Sequence, residues 1–549
     1  MEKRLLLAIV LSFIVLLVYQ VVFVKKPPPQ EPTARPPEKA EVIPEEKPPE
    51  LPPEVPAVSE EEAVEAPRAP VSETREVPIV VETSLYRAEW TNRGGRLKSW
   101  KLKNYRDEDK QDLELISARS EEAGQYPFFL ATGDENLDRI LNEALYKPSQ
   151  TQIQLGNGQS QELRFAYADD SGIRAEKVLV FHDGTYTFDV RVDVWKNGQK
   201  ITPRLVWGPS FGNLTEQEMK KRIGGGSAGV AVYSGTKLYY HQERKYKPEK
   251  SRYNFAEWAA YDINYFSALF LASPEKIGAA FLQERIGDQM YFFLQMDMPE
   301  SVYIGPKDID RLSALGRGTK KLIRFGFFGW IAEILLRAIK AIHKAIPNWG
   351  VGIILLTLII KILFFPLTYS STKSMAKMQE LQPKMKAIRA KYKKAKQDIA
   401  QRRKMNEEIM KLYKEHGINP AGGCLPILIQ LPIFWGFFRM LVVSIEFRQS
   451  PFVFWIKDLS VKDPYYVTPI LMGITQFISQ KMTPTSADPT QQKMMLIMPV
   501  VMTVFFMNFQ SGLVLYWLTN NVLQIAQQAI MNRLRQKQKR ETHGKKRKK

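Results

Sequence analysis

The pattern of apolar and polar positions divides the chain into a short apolar start, a long polar and alternating stretch, and an apolar second half. A helix needs about 20 apolar residues to cross the ~30 Å hydrocarbon core of a bilayer. Runs that reach or approach this length predict six transmembrane helices, at about 5–24, 349–369, 425–445, 465–482, 494–509 and 513–531.

The first of these runs predicts an N-terminal signal anchor over residues 1–26. Lys3 and Arg4 precede the run, and KKPPPQ follows it in place of the small residues that are typical of a cleavage site. Residues 27–75 then contain 14 prolines among many glutamates. Because this composition cannot build a hydrophobic core, the segment is predicted to be a disordered, extended linker.

Beyond the linker, the pattern changes to the two-residue period of β-strands. In YTFDVRVDVW (186–195), apolar side chains alternate with Thr, Asp and Arg, which is typical of a half-buried strand. The turn signals His-Asp-Gly (182–184) and Gly94-Gly95 each lie between two such stretches. We therefore predict a large antiparallel β-sandwich over residues 76–320.

The segment that follows, residues 321–348, has the pattern of an amphipathic helix. Its basic and apolar side chains recur at helical spacing on different faces: Arg337, Lys340 and Lys344 on one, and Leu335, Ile339 and Ile342 on the other. Charges this frequent are unfavourable in a membrane span, so the segment is predicted to lie in the membrane interface.

A second amphipathic pattern lies between the second and third apolar runs. Apolar residues follow a 3-4-3-4 spacing at Met378, Leu381, Met385, Ile388 and Tyr392. This is the spacing of a heptad seam. After a basic tip, residues 399–413 give another helical stretch. The pattern predicts an antiparallel helical hairpin over residues 373–416.

The formal charge of the chain is +20, and its basic residues concentrate in two segments. Residues 370–420 hold 14 basic and five acidic side chains, and the tail 533–549 holds 10 basic side chains and one acidic. Because basic loops stay on the cytoplasmic side, both segments are predicted to be cytoplasmic. The number of spans between them then places the N-terminus in the cytoplasm and residues 27–348 outside.

The basic hairpin has two interpretations. Its lysines and arginines could simply solvate the hairpin and fix its orientation. They could also form a docking surface for an acidic or RNA-bearing partner such as a ribosome or a targeting factor, with no DNA involved. The candidate docking residues are Lys391, Lys393, Lys394, Lys396, Arg402 and Arg403.

Catalytic and metal-binding patterns are missing from the sequence. Cys424 is the only cysteine, and His182 and His241 do not have the spacing of metal ligands. The glycine-rich stretch RIGGGSAG (222–229) lacks the lysine and hydroxyl residue of a phosphate-binding loop. We therefore predict no catalytic residues, no metal and no cofactor, and a protein that is not an enzyme.

One basic residue, Lys361, lies inside the apolar run IILLTLIIKILFFPLTYSS (353–371). A charge at bilayer depth costs roughly 2.5–3.5 kcal/mol on insertion scales, so such residues usually face a cavity or a partner. Thr357 lies one turn away on the same face. Polar residues of other runs could complete a wet cavity or only bond neighbouring helices: Gln430, Gln476, Thr503, Asn508, Thr519, Asn520 and Gln524.

Four segments of the chain resemble the YidC family of membrane-protein insertases: MAKMQELQPK (375–384), NPAGGCLPILIQLPIF (419–434), DPYYVTPILMG (463–473) and SGLVLYW (511–517). The anchor, proline-rich linker and exported β domain are similar to the form of the family found in bacteria with two membranes. The resemblance implies a multi-domain, multi-pass inner-membrane protein. Its five-helix core would span residues 349–532, and its exported segment, 27–348, would carry a periplasmic β-supersandwich.

In function, the resemblance implies an insertase and chaperone that inserts, folds and helps to assemble inner-membrane proteins. Its partners would be nascent membrane proteins, the lipid bilayer, and the Sec translocon with its accessory subunits, although it could also act independently. A hydrophilic groove, open to the cytoplasm and to lipid, would contact the client. The candidate groove residues are Lys361, Thr357, Gln430, Tyr516, Trp517 and Asn520.

The chain departs from the family pattern at two of these positions. The family usually has an arginine several residues before a Pro-Leu-Thr element, and Pro366-Leu367-Thr368 places Lys361 in that position. Lysine keeps the positive charge but loses the planar fork of donors. Trp517 stands where many relatives have a tyrosine.

An ion-coupled secondary transporter is the alternative function. Proline-interrupted spans and a buried cation would suit one. The apolar runs hold no aspartate or glutamate that could couple transport to protons or sodium, and no internal repeat is apparent.

Overall fold

The computed structural model describes residues 70–107, 109–212, 228–248, 251–272, 277–392, 398–418, 425–483 and 489–547. The predicted anchor 1–26 and residues 27–69 of the predicted linker lie outside this range. So do residues 222–227 of the glycine-rich stretch, Cys424, and the candidate docking residues Lys393, Lys394 and Lys396.

The first half of the described chain is built from β-strands. In chain order they are β1 Pro78–Glu82, β2 Tyr86–Thr91, β3 Arg96–Arg106, β4 Asp112–Glu114, β5 Phe129–Ala131, β6 Lys147–Pro148, β7 Gln152–Gln154, β8 Ser160–Ala168, β9 Ile173–His182, β10 Thr187–Lys196, β11 Gln199–Ile201, β12 Arg204–Trp207, β13 Gly229–Ser234, β14 Lys237–Gln242, β15 Arg252–Ala256, β16 Trp258–Asp262, β17 Phe266–Leu271, β18 Ile277–Ile286, β19 Gln289–Met296 and β20 Ser301–Pro306.

These strands form three sheets. The largest has ten strands in the order β14-β13-β16-β17-β20-β10-β9-β8-β6, with β11 paired to β10. Two five-stranded sheets have the orders β4-β3-β2-β1-β7 and β15-β18-β19-β12-β5. The strands pair antiparallel, as predicted, except that β1 and β7 are parallel. This exception is possible because about 70 residues, including five further strands, separate β1 from β7.

The hairpin predicted around Gly184 is confirmed. Gly184 has φ +79°, which glycine adopts without steric cost. The register places Phe188 opposite Phe181 and Val190 opposite Leu179, so the apolar residues of both strands share one buried face. The alternating polar residues, such as Arg191, point to the other face and are exposed. The two-residue period therefore identified the buried face correctly.

The core between the sheets is aromatic, and it contains one buried lysine. Trp90 and Phe128 meet edge to face with ring centroids 4.8 Å apart. Lys177 extends into this region, where its ammonium donates to the carbonyl oxygens of Gly94 at 2.6 Å and Phe128 at 2.9 Å. Burial lowers the pKa of Lys177 well below its usual value. Its hydrogen bonds join β9 to the turn between β2 and β3.

The rest of the described chain is helical. In chain order the helices are α1 Arg119–Glu122, α2 Glu135–Glu143, α3 Ile309–Ala314, α4 Gly329–Ala345, α5 Trp349–Leu363, α6 Phe365–Glu380, α7 Gln382–Lys391, α8 Ile399–Glu415, α9 Leu425–Val443, α10 Val467–Met482, α11 Pro489–Phe506 and α12 Ser511–Arg547. The first two are short and lie among the strands, and α3 follows the last strand, β20. The last, α12, extends through most of the predicted basic tail 533–549.

The apolar face of α4 packs inside the protein. Leu335 and Ile339 are buried, and α4 contacts both α9 and α5. The exposed apolar residues of this region are instead Trp330 and Ile334, with Phe327 just before the helix. Only a face that no other helix covers can contact lipid. On α4 that face carries Trp330 and Ile334, whereas the apolar face in the sequence pattern carries Leu335 and Ile339.

The predicted span 349–369 is not one straight helix. Helix α5 ends at Leu363, and α6 begins at Phe365 with Pro366 in its first turn. Proline has no amide hydrogen and disfavours helical geometry in the residue before it, so it begins a new helix rather than continuing the old one.

Among the described residues, no individual helix combines the length and the apolar composition of a membrane span. Helices α5 and α6 satisfy both criteria when taken together, with a bend of 62° between them. Two shorter apolar helical stretches cover Leu428–Val443 and Met495–Phe506.

The helical hairpin predicted over residues 373–416 is present, but its first arm is interrupted. Helix α6 ends at Glu380 and α7 begins at Gln382, where Pro383 lies in the first turn. The arms pack through Met378, Leu381 and Met385 against Tyr413 and Ile418. Part of the predicted heptad seam is thus the buried side of the hairpin.

The β-rich half and the helical half meet through buried charges. The carboxylate of Asp262, at the end of β16, lies 2.8 Å from the Lys307 ammonium and 3.2 Å from the Arg324 guanidinium. Asp262 is fully buried. Burial lowers the pKa of Lys307 to about 8, although Asp262 opposes the shift.

Helix α9 is tied to this charged cluster by its own side chain and backbone. Arg439 on α9 donates to the carbonyl oxygens of Arg324 and Phe325, and Asn264 donates to the carbonyl of Val442 at 3.2 Å. These buried polar contacts join the β-rich half to α9, alongside an apolar core that continues from the sheets into the helices.

Candidate functional site

One face of α12 carries a line of polar side chains. Tyr516, Asn520, Gln524 and Gln527 are separated by four, four and three residues, which places them on one side of a helix. At 1.5 Å rise per residue, this line is roughly 16 Å long. We refer to these four residues as the polar stripe.

Lys361 contacts the polar stripe near its middle. Its ammonium donates to the side-chain oxygen of Gln524 at 2.9 Å. An ammonium has three donors, and Gln524 accepts from only one of them. Lys361 forms no ion pair with an acid in the described ranges of the chain. The lysine is thus held by a neutral group, so its positive charge is not cancelled by that contact.

The neighbours of Lys361 on α5 have a different character. Ile359, Ile362 and Leu363 are more than half exposed, with Ile362 at 65%. In a chain with such apolar runs, this surface is suited to lipid rather than to water. Helix α5 therefore presents a cation towards α12 and an apolar surface away from it.

The next turn of the stripe is joined to the start of α6. The Gln527 amide donates to the Thr368 hydroxyl at 2.8 Å. This contact is possible because the bend at Phe364 redirects the chain after Lys361. Lys361 and Thr368 thereby contact α12 at residues only three positions apart.

Tyr516, at the other end of the stripe, links α12 to α9. The Gln430 amide donates to its hydroxyl oxygen. The tyrosine ring stacks on Phe437, with centroids 4.1 Å apart. Tyr516 is buried, so its hydroxyl needs such a partner. Its contacts hold α9 and α12 in a fixed register.

Trp517 belongs to a different face of α12. Its indole nitrogen donates to the Gln476 side-chain oxygen on α10 at 3.1 Å. Its ring packs against Phe434 on α9 and Phe506 on α11, at centroid distances of 5.0 and 5.2 Å. One helical turn further on, Asn521 donates to the Met472 carbonyl at 3.1 Å. This face joins α12 to its neighbouring helices.

The structure brings together some of the predicted groove residues and separates others. Lys361, Gln430, Tyr516 and Asn520 all lie on the polar stripe or contact it, and of these Tyr516 is buried. Thr357 is only 2% exposed, and its hydroxyl donates to the Ile353 carbonyl, so it is not available to a ligand in this structure.

Within the hairpin, the described candidate docking residues have mixed surroundings. The ammonium of Lys391 lies 2.6 Å from the carboxylate of Glu408, and Arg403 pairs with Glu407 at 3.3 Å. Arg402 is half-buried. A partner that binds Lys391 or Arg403 would therefore have to compete with an existing intramolecular pair.

The prediction from sequence missed contacts made by Gln524, Gln527 and Thr368. Gln524 was noted only as a polar residue at depth, and it is the hydrogen-bond partner of Lys361. The useful signal was the spacing of polar residues along 516–527, because its helical period marks one continuous face.

Metal binding finds no support in this part of the molecule. The described ranges contain no group of three or more His, Cys, Asp or Glu side chains that could hold a metal ion. The contacts of Lys361 and its neighbours are hydrogen bonds and apolar packing. The arrangement therefore offers a ligand a positive charge, hydrogen-bonding side chains and an exposed apolar surface.

Two known sequence families match this chain. Residues 78–338 match the family described as YidC periplasmic domain, and residues 341–539 match the 60Kd inner membrane protein family. The membrane protein insertase YidC of Syntrophus aciditrophicus is 36% identical over 97% of this chain and 100% of its own length. The chain belongs to the YidC family.

Other matches agree with this assignment. The membrane protein insertase YidC of Geotalea daltonii is also 36% identical, over 97% of this chain and 99% of its own. The solved structure of an active YidC insertase with its first transmembrane domain resolved is 20% identical, covers 83% of this chain and 94% of its own, and has a TM-score of 0.35. The YidC structure from Thermotoga maritima is 16% identical, covers 83% of this chain and 98% of its own, and has a TM-score of 0.30. Because both TM-scores are low, the assignment depends on the sequence matches.

The family assignment confirms the resemblance found in the sequence. This is an inner-membrane protein with a β-rich periplasmic domain and a helical C-terminal region. The relatives carry insertase names, which confirms the prediction that the chain is not an enzyme. They give no support to the alternative of an ion-coupled transporter.

Proposed function

We propose that this chain inserts and helps to fold and assemble proteins in the inner membrane, and that the polar stripe with Lys361 is where a client first enters. The observation that carries the proposal is the contact between the Lys361 ammonium and Gln524, on a helix whose other surface is apolar and exposed. A client needs both features, because its polar flank and its apolar segment favour different surroundings.

The proposed mechanism uses the uncancelled charge of Lys361. A polar or acidic client tail loses hydration when it enters the bilayer, and this loss is the main barrier to its transfer. A fixed cation with free donors replaces part of that hydration by charge-assisted hydrogen bonds. The donors and acceptors of Gln524 and Asn520 extend the polar surface along α12.

The apolar segment of the client would follow a different route. The exposed surface of α5 around Ile362 would contact it and guide it into lipid. Apolar burial supplies about 25 cal/mol per Å² removed from water, so a 20-residue segment provides a large favourable term without nucleotide hydrolysis. Insertion is thereby driven by the client's own hydrophobicity, and the protein lowers the barrier.

We further propose the membrane orientation and the segment boundaries that the basic loops predict. Both termini would be cytoplasmic, residues 27–348 periplasmic, and six transmembrane helices would comprise an anchor and a five-helix core within 349–532. The groove would be open to the cytoplasm and lipid. Support for this orientation comes from the 14 basic residues of segment 370–420 and the 10 of the tail.

Cooperation with the Sec translocon and its accessory subunits, and docking of a ribosome or targeting factor on the hairpin, complete the proposal. Docking is supported by the positive charge of the hairpin. It is also supported by the connection of the hairpin to Lys361, because its first arm, α6, directly follows the helix that carries this lysine. Because Lys391 and Arg403 are already paired, a partner would bind first to other basic residues of the same tip.

Photocrosslinking from α12 tests the proposed entry site. A photoreactive phenylalanine at Asn520 is expected to crosslink to a stalled nascent membrane protein, because position 520 lies on the polar stripe. The matched control is Val522, which is 49% exposed and lies on the opposite side of the same helix. Crosslinks to the nascent chain should be several-fold stronger from 520. Equal crosslinking from both positions, or none from 520, would exclude the polar stripe as the entry site.

A further inference from the structure

Two sheet edges of the β-rich half come together and form an aromatic surface. Strand β14 is the outermost strand of the ten-stranded sheet, and β15 is the outermost strand of a five-stranded sheet. The rings of Tyr239 and Tyr253 are 5.0 Å apart. The Tyr253 hydroxyl lies 2.6 Å from Nε2 of His241. Phe255, two residues along β15, is 67% exposed. We call Tyr239, His241, Tyr253 and Phe255 the aromatic edge.

The surroundings of the aromatic edge are basic. Residues 237–257 contain six basic and three acidic side chains. Four of the basic residues are exposed: Lys237, Lys245, Lys247 and Arg252. Glu243, by contrast, accepts a hydrogen bond from the buried Tyr261 hydroxyl at 2.5 Å, so its charge is directed inward. The edge therefore favours an acidic ligand with groups that pack on aromatic rings.

The chain itself contains a segment with this chemistry. Residues 27–69 hold 13 prolines, 11 glutamates and four basic residues. Within them, PPELPPEVP (48–56) places prolines three residues apart twice, with a glutamate inside each interval. Proline-rich segments in the polyproline II conformation dock on aromatic grooves at a low entropic cost, because the free chain already favours that conformation.

The length of chain allows this segment to reach the edge. Val71 pairs with Ala168 at the end of β8, which fixes the point where the segment joins the β-rich half. Strand β8 is seven strand positions from β14. At about 4.8 Å per strand, this is roughly 34 Å. In polyproline II, at ~3.1 Å per residue, the residues from 56 to 70 would span roughly 43 Å.

We propose that residues 48–56 of this chain's own linker dock on the aromatic edge of its periplasmic domain. The docked segment covers the outermost strands of two sheets, and such edges are sites where another chain can add. It also shortens the free tether between the N-terminal anchor and the β-rich half. The proposal is independent of the entry site on α12.

Photocrosslinking in the full-length chain tests this docking. A photoreactive phenylalanine at Phe255, activated in native membranes, is expected to crosslink to a peptide from residues 48–56, identified by mass spectrometry. The same amino acid at Met290, an exposed residue of β19, is the control and should not crosslink to the linker. Since the glutamates contribute by charge at an exposed surface, 0.5 M salt should reduce the yield.

Matched linker variants separate docking from chance proximity. The pair Pro52→Ser and Pro53→Ser, and the pair Glu50→Gln and Glu54→Gln, should each lower the crosslinking yield several-fold. The pair Pro36→Ser and Pro37→Ser lies outside the docking segment and should leave the crosslinking yield unchanged. Adducts with residues 213–227, with a second copy of the chain or with a client, in place of residues 48–56, would overturn the proposal. Absence of any linker adduct would also overturn it.

Discussion

Replacing Lys361 with alanine is expected to slow insertion of clients with acidic exported tails by roughly one to two orders of magnitude. A hydrogen bond to a charged group contributes about 1.5–3 kcal/mol, and each 1.36 kcal/mol changes a rate tenfold. Lys361→Arg should preserve most of the rate, because arginine keeps the charge and adds a forked donor set. Initial insertion rates in membrane vesicles, measured by protease protection of the tail, give the comparison.

The choice of client and a neighbouring residue supply the controls. A client with a short, uncharged tail should be affected much less by Lys361→Ala, since it has no acid to stabilise. Val522→Ala, on the neighbouring helix α12 but on the side opposite the polar stripe, keeps the cation and should leave acidic clients nearly unchanged. If Lys361→Ala inserted acidic clients at the normal rate, the electrostatic role of this residue would be disproved.

Asp262→Ala is expected to weaken the junction between the β-rich half and the helices by about 3–5 kcal/mol. Removal of one partner from a buried ion pair leaves the other charge buried and uncompensated. Here two cations lose their partner, Lys307 and Arg324. The opening free energy of β16, measured by hydrogen exchange in the purified full-length chain, should fall by this amount.

Two variants test whether the loss comes from the ion pairs. Asp170→Ala removes an exposed carboxylate from a turn and should change the opening free energy by no more than about 0.5 kcal/mol. Adding Lys307→Met to Asp262→Ala should recover part of the loss, because one uncompensated cation is then removed. A small effect of Asp262→Ala, similar to that of Asp170→Ala, would mean that the charges do not stabilise the junction.

Local patterns were sufficient to predict much of the fold. The alternation in YTFDVRVDVW and the glycine at 184 predicted the β9–β10 hairpin, because side-chain direction in a strand depends only on sequence position. The helical hairpin and the position of Lys361 on an otherwise apolar helix followed in the same way. Each of these features is decided within a few turns or residues of chain.

Features that depend on distant residues were not predictable by the same means. The hydrogen bond from Lys361 to Gln524 joins residues 163 positions apart. The burial of Leu335 and Ile339 depends on where α5 and α9 pack. Periodicity identifies a face of a helix but not its neighbour, so the pattern of 321–348 predicted the apolar face of α4 but not its packing against α5 and α9.

Insertion by the purified chain alone is the most direct test of the central claim, that client entry takes place at the cation and polar stripe between α5 and α12. Full-length protein would be reconstituted in liposomes without any other protein and given a client with one apolar segment and an acidic tail. Protease-protected client should accumulate well above the level in empty liposomes, and Lys361→Ala should lower it towards that level. Insertion no greater than in empty liposomes, or equal in both variants, would contradict the claim.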